Sequence, residues 1–390
     1  MLLAAGMLGA CVMGTNTNRA GSMEVVVATT PGSLLSVQTQ PLEAALAYAG
    51  QRYLITYRSR GVAGEPIVAS GYVLLPKGEP PNSGWPVLAW AHGTTGVADI
   101  CAPSAIYPGG PEDSYHQIVL PVLDWWLAQG YAVIAPDYQG LGTPGGHPYM
   151  NAASQLHTVV DAVRALHWLR PSAISPDWVV MGHSQGGAAA LEVAAHGQID
   201  MPEMHLRGAI ALAPGGYQYA DIAEYVLAHP RLDPGITAFL PIVLLGAEAA
   251  APSLDVGKLV SADMQPLLNF ARSRCLSELR QEITKSPSSV FRKNADVKPL
   301  LGYLAHQSIE NMSPTVPVML IQGTADKLIN SHGTRAYYQK LCKAGKTAFY
   351  HAISNGSHRD ALSQSQSVAQ QFLAYLDGEE MPVCSVDGGI

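Results

Sequence analysis

The pentapeptide Gly-His-Ser-Gln-Gly at residues 182–186 restricts the fold more than any other part of the sequence. The apolar run Trp-Val-Val-Met at 178–181 precedes it, and a run of small residues that favours a helix, 187–193, follows it. A Gly-x-Ser-x-Gly pattern between a strand and a helix is typical of a tight turn, because the glycines let the backbone bend sharply and leave the serine side chain in the open. The pattern therefore predicts Ser184 as a candidate nucleophile; the alternative is a Gly-Ser turn without chemistry.

Short apolar runs rich in β-branched residues alternate with segments of helical periodicity along most of the chain. Continuous apolar runs of this length predict strands buried on both faces, as in a mostly parallel sheet. The helices between them then cover both sides, so the predicted fold class is α/β, doubly wound. The predicted strands are residues 53–57, 67–76, 86–91, 131–136, 178–181, 206–214, 316–322 and 348–353. The helices predicted beside them are residues 118–129, 153–169 and 360–376.

This alternation stops between about residues 216 and 314, where helical patterns and prolines occur without a convincing core strand. The helices predicted there are residues 220–228, 236–251 and 261–283. We therefore predict three parts: a leader and polar linker at 1–40, a core made of 41–216 and 311–390, and a helical cap at 217–310. The alternative is an independent helical domain, but the apolar content of the segment favours a cap over the site.

The composition and charge exclude one class of partner. Apolar residues make up 48% of the chain and charged residues 14%, which allows a large buried core. The formal net charge is −7, and no block of Lys or Arg stands out. Nucleic acid is therefore not an expected partner, and nothing in the sequence indicates an obligate protein partner.

The N-terminal residues MLLAAGMLGAC form an apolar stretch too short to span a bilayer. They resemble the end of a signal peptide, although no Lys or Arg precedes them. We therefore expect a secreted or periplasmic protein. Leu-Gly-Ala-Cys at 8–11 also resembles a bacterial lipobox, in which Cys11 would carry a lipid anchor to the membrane; the alternative is an ordinary signal peptide.

The cysteine count agrees with export. The chain has five cysteines, and removal or lipidation of Cys11 leaves four. An even number in an exported protein predicts two disulfides, for which the sequence alone allows three pairings. The alternative, a metal site, lacks a Cys-x-x-Cys pair to begin it.

His-Gly-Thr-Thr-Gly at 92–96 follows a predicted strand and suits the oxyanion hole that a serine nucleophile needs. The backbone N–H of Gln185, directly after Ser184, is one expected donor, and that of Thr94 or Thr95 is the other. The alternative is a glycine-rich strand exit without a catalytic role. The presence of Ser184 in the same chain favours the functional interpretation.

The serine also needs a base and an acid, which follow it in the chain in α/β folds with such a turn. His358 lies in a polar, glycine-containing loop after the last predicted strand, where a base belongs, and His332 is the alternative after another strand exit. Asp326 also follows a predicted strand, and we expect it to orient the imidazole. Asp360 is close to His358 but is more simply a helix N-terminal residue.

The loop Asp-Tyr-Gln-Gly-Leu-Gly at 137–142 also follows a predicted strand. It is a candidate for lining the site, because ligands bind at the carboxyl ends of strands in open α/β sheets. For Asp137 itself we favour a structural role, since polar loop residues commonly bind their own backbone.

With these residues identified, the chain from about residue 66 to residue 376 resembles the secretory lipase family of α/β hydrolases. The resemblance implies an α/β-hydrolase fold, with Ser184, Asp326 and His358 as the triad and a helical lid at 217–310. It rests on the motifs HGTTG at 92–96, CAPS at 101–104, PDYQGLGTPG at 136–145, GHSQGG at 182–187, GTAD at 323–326 and GSH at 356–358.

The resemblance also implies two disulfides. Cys101–Cys275 would fasten the cap to the oxyanion loop, and Cys342–Cys384 would tether the C-terminal tail. Two features depart from the family pattern. The loop at 92–96 is not acidic, which leaves the second oxyanion donor open, and the cap, which decides the acyl chain that fits, is the least similar region.

These expectations combine into a two-step acyl transfer, in which Ser184 attacks an ester carbonyl, His358 takes its proton, and water later releases the acid. The expected substrate is a small-molecule or lipid ester, and no metal or organic cofactor is needed. Alternatives with the same triad are an esterase directed at a polymer or a plant cell wall, and an amidase or peptidase. A non-catalytic binding module is the alternative of a different class, and it would usually have lost a triad member.

Overall fold

The computed structural model describes residues 30–219, 221, 224, 225, 229, 234–283, 287–382 and 384. The predicted leader, the candidate lipidation residue Cys11 and most of the helix predicted at 220–228 lie outside the described residues.

Strands of the described residues form one nine-stranded sheet in the order β1-β2-β3-β5-β4-β6-β7-β8-β9. The pairings that join β1, β2, β3 and β5 are antiparallel, whereas those that join β5, β4 and β6 to β9 are parallel. Parallel neighbours need long crossovers, which the helices supply. The strands are β1 Leu34–Gln40, β2 Ala49–Arg60, β3 Pro66–Pro76, β4 Trp85–Ala91, β5 Ala132–Pro136, β6 Ile174–His183, β7 His205–Leu212, β8 Val318–Gly323 and β9 Ala348–Ile353.

The helices of the described residues lie after β4 in the chain. The α-helices are α1 Asp113–Ala128, α2 Ala152–Leu169, α3 Gln185–Asp200, α4 Pro234–Thr237, α5 Leu240–Ala250, α6 Val256–Leu259, α7 Gln265–Ala271, α8 Leu276–Glu282, α9 Lys298–His306, α10 Ser331–Lys343, α11 Asp360–Ser363 and α12 Gln366–Leu376. Single turns of 3₁₀-helix are Asp99–Cys101, Pro103–Ala105, Pro252–Leu254 and Ile309–Asn311.

The central strand β4 explains why the buried strands are continuous apolar runs. The side chains of Val87 and Ala89 pack on one face of the sheet in the same apolar cluster as α2 and α3. Those of Leu88 and Trp90 pack on the other face with α1 and α12. Because helices cover both faces of the sheet, the side chains on both faces of β4 are shielded from water. The strand therefore lacks the alternation of polar and apolar residues that is typical of a half-exposed strand. The predicted α/β sheet with helices on both faces is confirmed.

Strand β1 corrects the prediction that residues 1–40 are only a leader and a polar linker. Leu34–Gln40 pairs with β2 and forms one edge of the sheet. Its central residues are exposed, so polar side chains such as Ser36 and Gln38 are accommodated there without a burial cost. An edge strand of this kind lacks the apolar run that marks a buried strand, and the composition therefore looked like a linker.

Between β7 and β8 the chain forms α4 to α9, which we call the helical insertion (residues 217–310). The helices predicted at 236–251 and 261–283 are both divided, the first into α4 and α5, and the second into α7 and α8. Within the described ranges no single helix is long and apolar enough to cross a membrane, and one pair bent by 119°, Gly235–Ala250 with Pro252–Leu259, meets the criteria of length and composition.

The disulfide Cys101–Cys275 is formed and joins the segment after β4 to the start of α8. Two backbone contacts accompany it: Gly96 forms a β-bridge with Cys275, and the N–H of Leu276 donates to the carbonyl of Thr95 at 2.8 Å. The helical insertion is thus fixed, at its α8 end, to the loop that carries the predicted oxyanion hole.

The predicted disulfide Cys342–Cys384 is absent, and both residues are free thiols. The Sγ of Cys384 instead donates to the carbonyl of Lys346 at 3.6 Å. Burial and a hydrogen bond with Cys384 raise the pKa of the Cys342 thiol, so the two thiols are neighbours although they are not bonded. The metal alternative is also unsupported in the described part of the chain, where no group of three or more His, Cys, Asp or Glu side chains could hold a metal ion.

Candidate active site

Ser184 lies at the turn between β6 and α3. Its backbone angles, φ 59° and ψ −113°, are rare for a residue with a side chain. The flanking glycines are required by contact: a Cβ on Gly182 would lie 2.0 Å from the carbonyl oxygen of Gly186, and one on Gly186 would lie 1.9 Å from that of Ala91. The turn is therefore held by backbone packing that no larger residue could enter.

Asp326 and His358 are brought together from the loops after β8 and β9. His358 Nδ1 lies 2.7 Å from Asp326 Oδ2. The carboxylate also accepts hydrogen bonds from Gln322 Nε2 at 2.9 Å and from the backbone N–H groups of Leu328 and Ile329 at 2.8 and 2.9 Å. Burial alone would raise the pKa of Asp326, but these hydrogen bonds hold it below its ordinary value. An ionised acceptor at Nδ1 leaves Nε2 of His358 free to accept a proton.

Ser184 and His358 line one cavity of about 30 Å³. That volume holds one or two water molecules. The Ser184 hydroxyl forms no hydrogen bond with another described residue, and hydrogen bonds of this kind are often long before substrate binds. The cavity is lined by Gly93, Thr94, Glu112, Tyr115, His183, Ser184, Phe239, Leu276, Arg280, Leu328, His358 and Arg359.

His183 connects the base loop to the oxyanion loop through a chain of hydrogen bonds. Its Nε2 lies 3.0 Å from the carbonyl oxygen of His358, which can only accept, so Nε2 carries the proton. Its Nδ1 then accepts from the Tyr115 hydroxyl at 3.1 Å, and the same hydroxyl accepts from the N–H of Gly93 at 2.9 Å. Burial, together with the nearby His358, lowers the pKa of His183 to about 3. The imidazole is therefore neutral at physiological pH, as this arrangement requires.

The hydrogen bonds of the oxyanion loop distinguish its candidate donors. The N–H of Gly93 is already used by Tyr115. Thr95 is almost fully buried, its carbonyl binds Leu276, and it is not among the residues that line the cavity. Thr94 does line the cavity. Gln185 begins α3, where the first N–H groups of a helix have no partner within the helix. Thr94, which lines the cavity, and Gln185, which directly follows Ser184 in the chain, thus remain the candidate donors.

The side chains of both donor residues are held by other contacts. Thr94 Oγ1 lies 2.8 Å from the hydroxyl of Tyr149. Gln185 Nε2 lies 3.1 Å from Nε2 of His147, whose Nδ1 donates to the carbonyl of Gln139 at 2.8 Å. These contacts restrain the two candidate residues, and preorganised donors are what an oxyanion hole requires.

The alternative residues lie elsewhere. His332 is exposed on the first turn of α10 and does not line the cavity. Asp360 accepts from the N–H and the hydroxyl of Ser357 at 2.6 and 2.7 Å, so it shapes the base loop from the start of α11. The structure thus brings His358, and not His332, to the cavity that contains Ser184.

Asp137 has the structural role that we favoured. It is fully buried, and its carboxylate accepts from the N–H and the hydroxyl of Ser104 at 2.8 and 2.6 Å and from the hydroxyl of Ser70 at 2.7 Å. These bonds join the loop after β5 to β3 and to the 3₁₀-turn after Cys101. Asp137 does not line the cavity.

Sequence reasoning missed several lining residues, among them Tyr115 and three charged residues: Glu112 from the start of α1, Arg280 from α8 and Arg359 from the base loop. Arg359 directly follows the predicted base, so its position was a usable signal. Glu112 has a left-handed backbone, φ 64°, and no local sequence pattern predicts this conformation. Arg280 reaches the cavity only because the helical insertion folds over it.

The strand order, the turn at Ser184 and the loops after β8 and β9 define an α/β-hydrolase fold. The chain belongs to the secretory lipase family, whose model matches residues 114–377. Its fold is similar to that of Candida antarctica lipase A, with a TM-score of 0.76 and 18% identity over 91% of this chain and 84% of that one. It is also similar to the rice cell wall degrading esterase LipA from Xanthomonas oryzae, with a TM-score of 0.67 and 19% identity over 88% and 96% of the two chains.

Curated relatives have similar but diverged sequences. A Mycobacterium tuberculosis protein named "Probable inactive lipase" is 23% identical over 80% of this chain and 69% of its own length. Lipase 5 of Candida albicans is 22% identical over 72% and 63%, and the trichothecene C-3 esterase of Fusarium sporotrichioides is 23% identical over 63% and 57%. The chain thus spans between 57% and 69% of the lengths of these relatives.

Proposed function

We propose that this protein is a serine carboxylester hydrolase that works through an acyl-enzyme on Ser184. The observation that carries the proposal is the 2.7 Å contact between His358 Nδ1 and Asp326, in a loop that shares a cavity with Ser184. A nucleophile, a base and an acid in this chain order match the family pattern of lipases and esterases. The same triad is compatible with an amide substrate, but the family and its structural neighbours are lipases and esterases.

In the first step His358 Nε2 takes the proton of the Ser184 hydroxyl as the oxygen attacks the ester carbonyl. The N–H groups of Gln185 and Thr94 bind the oxyanion of the tetrahedral intermediate, and we prefer Thr94 to Thr95 because only Thr94 faces the cavity. Asp326 stabilises the imidazolium that forms. His358 then protonates the leaving alcohol, so that an acyl-serine remains.

In the second step His358 takes a proton from water, which attacks the acyl-serine at the same oxyanion hole. Collapse of the second intermediate breaks the bond to Ser184, returns the proton to the serine oxygen and releases the acid. The protein groups supply both proton transfers and the charge stabilisation.

We propose that the helical insertion is a cap over a site for small-molecule or lipid esters. Phe239, Leu276 and Arg280 of the insertion line the cavity. A cavity of about 30 Å³ is far below the several hundred Å³ of ordinary ligand pockets. Substrate entry therefore requires side chains of the insertion to move away from Ser184.

We also propose that the protein is exported, as the name of its family suggests. The disulfide Cys101–Cys275 supports this, because disulfides persist in oxidising compartments. Lipid attachment at Cys11 stays a prediction, which mass spectrometry of the N-terminal peptide from the native source would test.

The decisive test is covalent labelling with a fluorophosphonate, together with hydrolysis of a p-nitrophenyl ester series and of a triglyceride emulsion. Ser184→Ala should retain the circular dichroism spectrum and the melting temperature of the wild type, and should lose both labelling and ester turnover. Ser172→Ala, at an exposed serine outside the cavity, is the matched control. Wild-type turnover in Ser184→Ala would refute the assignment, and a wild-type protein that binds the probe nowhere would point to an inactive member.

A further inference from the structure

Two arginines enter the cavity beside Ser184 from different parts of the fold. Arg280 comes from α8 of the helical insertion, and Arg359 directly follows the base. Neither guanidinium forms an ion pair or a hydrogen bond with a side chain in the described part of the chain. The guanidinium carbon of Arg280 lies 5.3 Å from the centre of the Phe239 ring.

Arginines elsewhere in the molecule form ion pairs with carboxylates. Arg60 binds Asp161 at 2.9 Å and Asp200 at 2.6 Å, and hydrogen bonds to these carboxylates raise its pKa. The pKa of Arg280 shifts in the opposite direction: partial burial lowers it most, the nearby charge of Arg359 lowers it further, and the charge of Glu112 offsets part of this shift. The two cavity arginines thus carry like charges near each other, and neither forms a direct ion pair with a carboxylate of the described residues.

The other ionisable groups at the cavity do not balance this charge. Glu112 is the one carboxylate among the lining residues, and it is committed to the N–H of Ser277 at 2.5 Å. Burial raises the pKa of Glu112, and its hydrogen bonds to Ser277 and the charges of the two arginines oppose this shift. The lining thus holds two guanidinium groups against one carboxylate. His183 is neutral, and Asp326 is bound to His358 and its own loop. The cavity therefore has an excess of positive charge next to the nucleophile.

We propose that this cavity selects esters that carry a second, anionic group, a carboxylate or a phosphate, which binds Arg280 and Arg359. Guanidinium groups bind these oxyanions through paired N–H donors, and the pairing is strongest where water is largely excluded. The inference rests on the proposed ester hydrolysis and adds a substrate class to it. Monoesters of dicarboxylic acids are the simplest members of this class.

The test compares monoethyl esters of dicarboxylic acids with ethyl esters of monocarboxylic acids of equal chain length. A second arm compares acetate esters of ω-hydroxy acids with acetate esters of the matching alcohols, and shows whether the anion belongs to the acyl or the alcohol side. A third arm uses alkyl esters with a terminal phosphate. The readout is the ratio of kcat/KM for the charged ester to kcat/KM for its neutral partner, so each variant is its own reference.

We expect a wild-type ratio of about ten at the best chain length, equivalent to about 1.4 kcal/mol. Arg280→Gln and Arg359→Gln should each bring the ratio to about one, mainly through KM, and Arg280→Glu should bring it below one. Glu112→Gln, which keeps an acceptor for Ser277, should raise the ratio. Arg274→Gln is the matched control, because Arg274 is an exposed arginine just before α8 that pairs with Glu278 and does not line the cavity.

A wild-type ratio at or below one in every arm, or a ratio that neither arginine variant changes, overturns the proposal while ester hydrolysis stands. A wild type that hydrolyses neither ester refutes the proposed function instead. Binding provides a readout without turnover: calorimetry on Ser184→Ala should detect the charged ester, and the added change Arg280→Gln should weaken that binding about tenfold. Equal binding in both proteins also counts against the anion site.

Discussion

The imidazole of His183 donates from Nε2 to the carbonyl oxygen of His358 across 3.0 Å, so the residue before the nucleophile holds the backbone of the base. The other ring nitrogen is fixed by Tyr115, which also binds Gly93 of the oxyanion loop. The nucleophile turn, the base loop and the oxyanion loop are thereby joined by three neutral hydrogen bonds. A displacement of any one of them would be transmitted to the other two.

Tyr115→Phe removes two of these hydrogen bonds at once and leaves the ring in place. We expect kcat for a neutral ester to fall about tenfold, because the N–H of the buried residue Gly93 loses its acceptor and the loop with Thr94 shifts. KM should change little, since Tyr115 acts on the position of the loop. Steady-state kinetics check this, with Tyr107→Phe as the control at an exposed tyrosine. A loss confined to KM would contradict a positioning role.

The choice of base can be tested by two histidine variants. His358→Ala should lower kcat by a factor of about 10⁴ or more, because the proton transfer at Ser184 loses its acceptor. His332→Ala should keep the wild-type rate, since that side chain is exposed on α10. The same ester assay measures both. If His332→Ala is the inactive variant, the base has been assigned to the wrong residue.

The buried histidines predict how stability depends on pH. Burial is the main cause that lowers the pKa of His92 to about 4 and the pKa values of His147 and His183 to about 3. In the unfolded chain a histidine takes up its proton near pH 6.5. Below that pH the unfolded state binds more protons than the folded state, so the free energy of unfolding falls as the pH decreases. The loss should extend from about pH 6.5 to the folded pKa values.

Each buried histidine contributes a slope of up to about 1.4 kcal/mol per pH unit in this window. Urea unfolding between pH 7 and pH 4.5 measures the total slope. His147→Gln should reduce it by about one histidine's share, although the variant is less stable at neutral pH. An unchanged slope in this variant would show that His147 takes up its proton in the folded protein at the ordinary pH.

The disulfide Cys101–Cys275 closes a loop with a sequence separation of 174 residues. In the chain-entropy model, its removal by the double change Cys101→Ser and Cys275→Ser costs up to about 5 kcal/mol, since the unfolded chain regains its freedom. Thermal unfolding of the oxidised protein with and without reductant, and of the double variant, measures the loss. The double variant should not respond to reductant. A melting temperature equal to that of the oxidised wild type would mean that the noncovalent contacts of α8 suffice.

The sequence predicted those parts of the fold that repeat a simple burial pattern. Strand β9 has the predicted bounds, 348–353, and β4 and β5 each differ from prediction by one residue at the start. Strands β4 and β5 are buried between helices, so their residue types are all apolar. Strand β9 is a sheet edge with His351 and Ala352 exposed, but its other residues still form a recognisable apolar pattern. β1 was missed because an exposed edge needs few apolar side chains. Helix α1 begins five residues before the predicted start, since its first turn is made of polar and aromatic residues.

The sequence predicted that the insertion is helical, but it did not predict the bounds of the individual helices. Its helices are short, and tertiary contacts determine their bounds. For example, α8 begins after Cys275, its N-cap residue, which is bonded to Cys101. For the site, chain order sufficed to select Ser184, Asp326 and His358, which the structure brings to one region. Residues such as Tyr115 and Arg280 lie at the site because of contacts between elements that are distant in sequence. No local sequence pattern predicts those contacts. The pairing of Cys342 with Cys384 was inferred by resemblance alone; the two thiols are neighbours in the structure but are not bonded.

The covalent attachment of α8 to the oxyanion loop makes the two sides of the substrate entrance unequal. On the side of Leu276, which follows Cys275, the wall cannot retreat from Ser184 without pulling the loop at 92–96 with it. On the side of Phe239, which directly precedes α5, the described residues form no such bond. In the proposed function, an entering ester therefore meets one wall of constant shape and one that can move. The disulfide fixes the shape of the Leu276 wall, so that wall limits the size of the substrate group beside it. The group beside the Phe239 wall can be larger, because that wall can move.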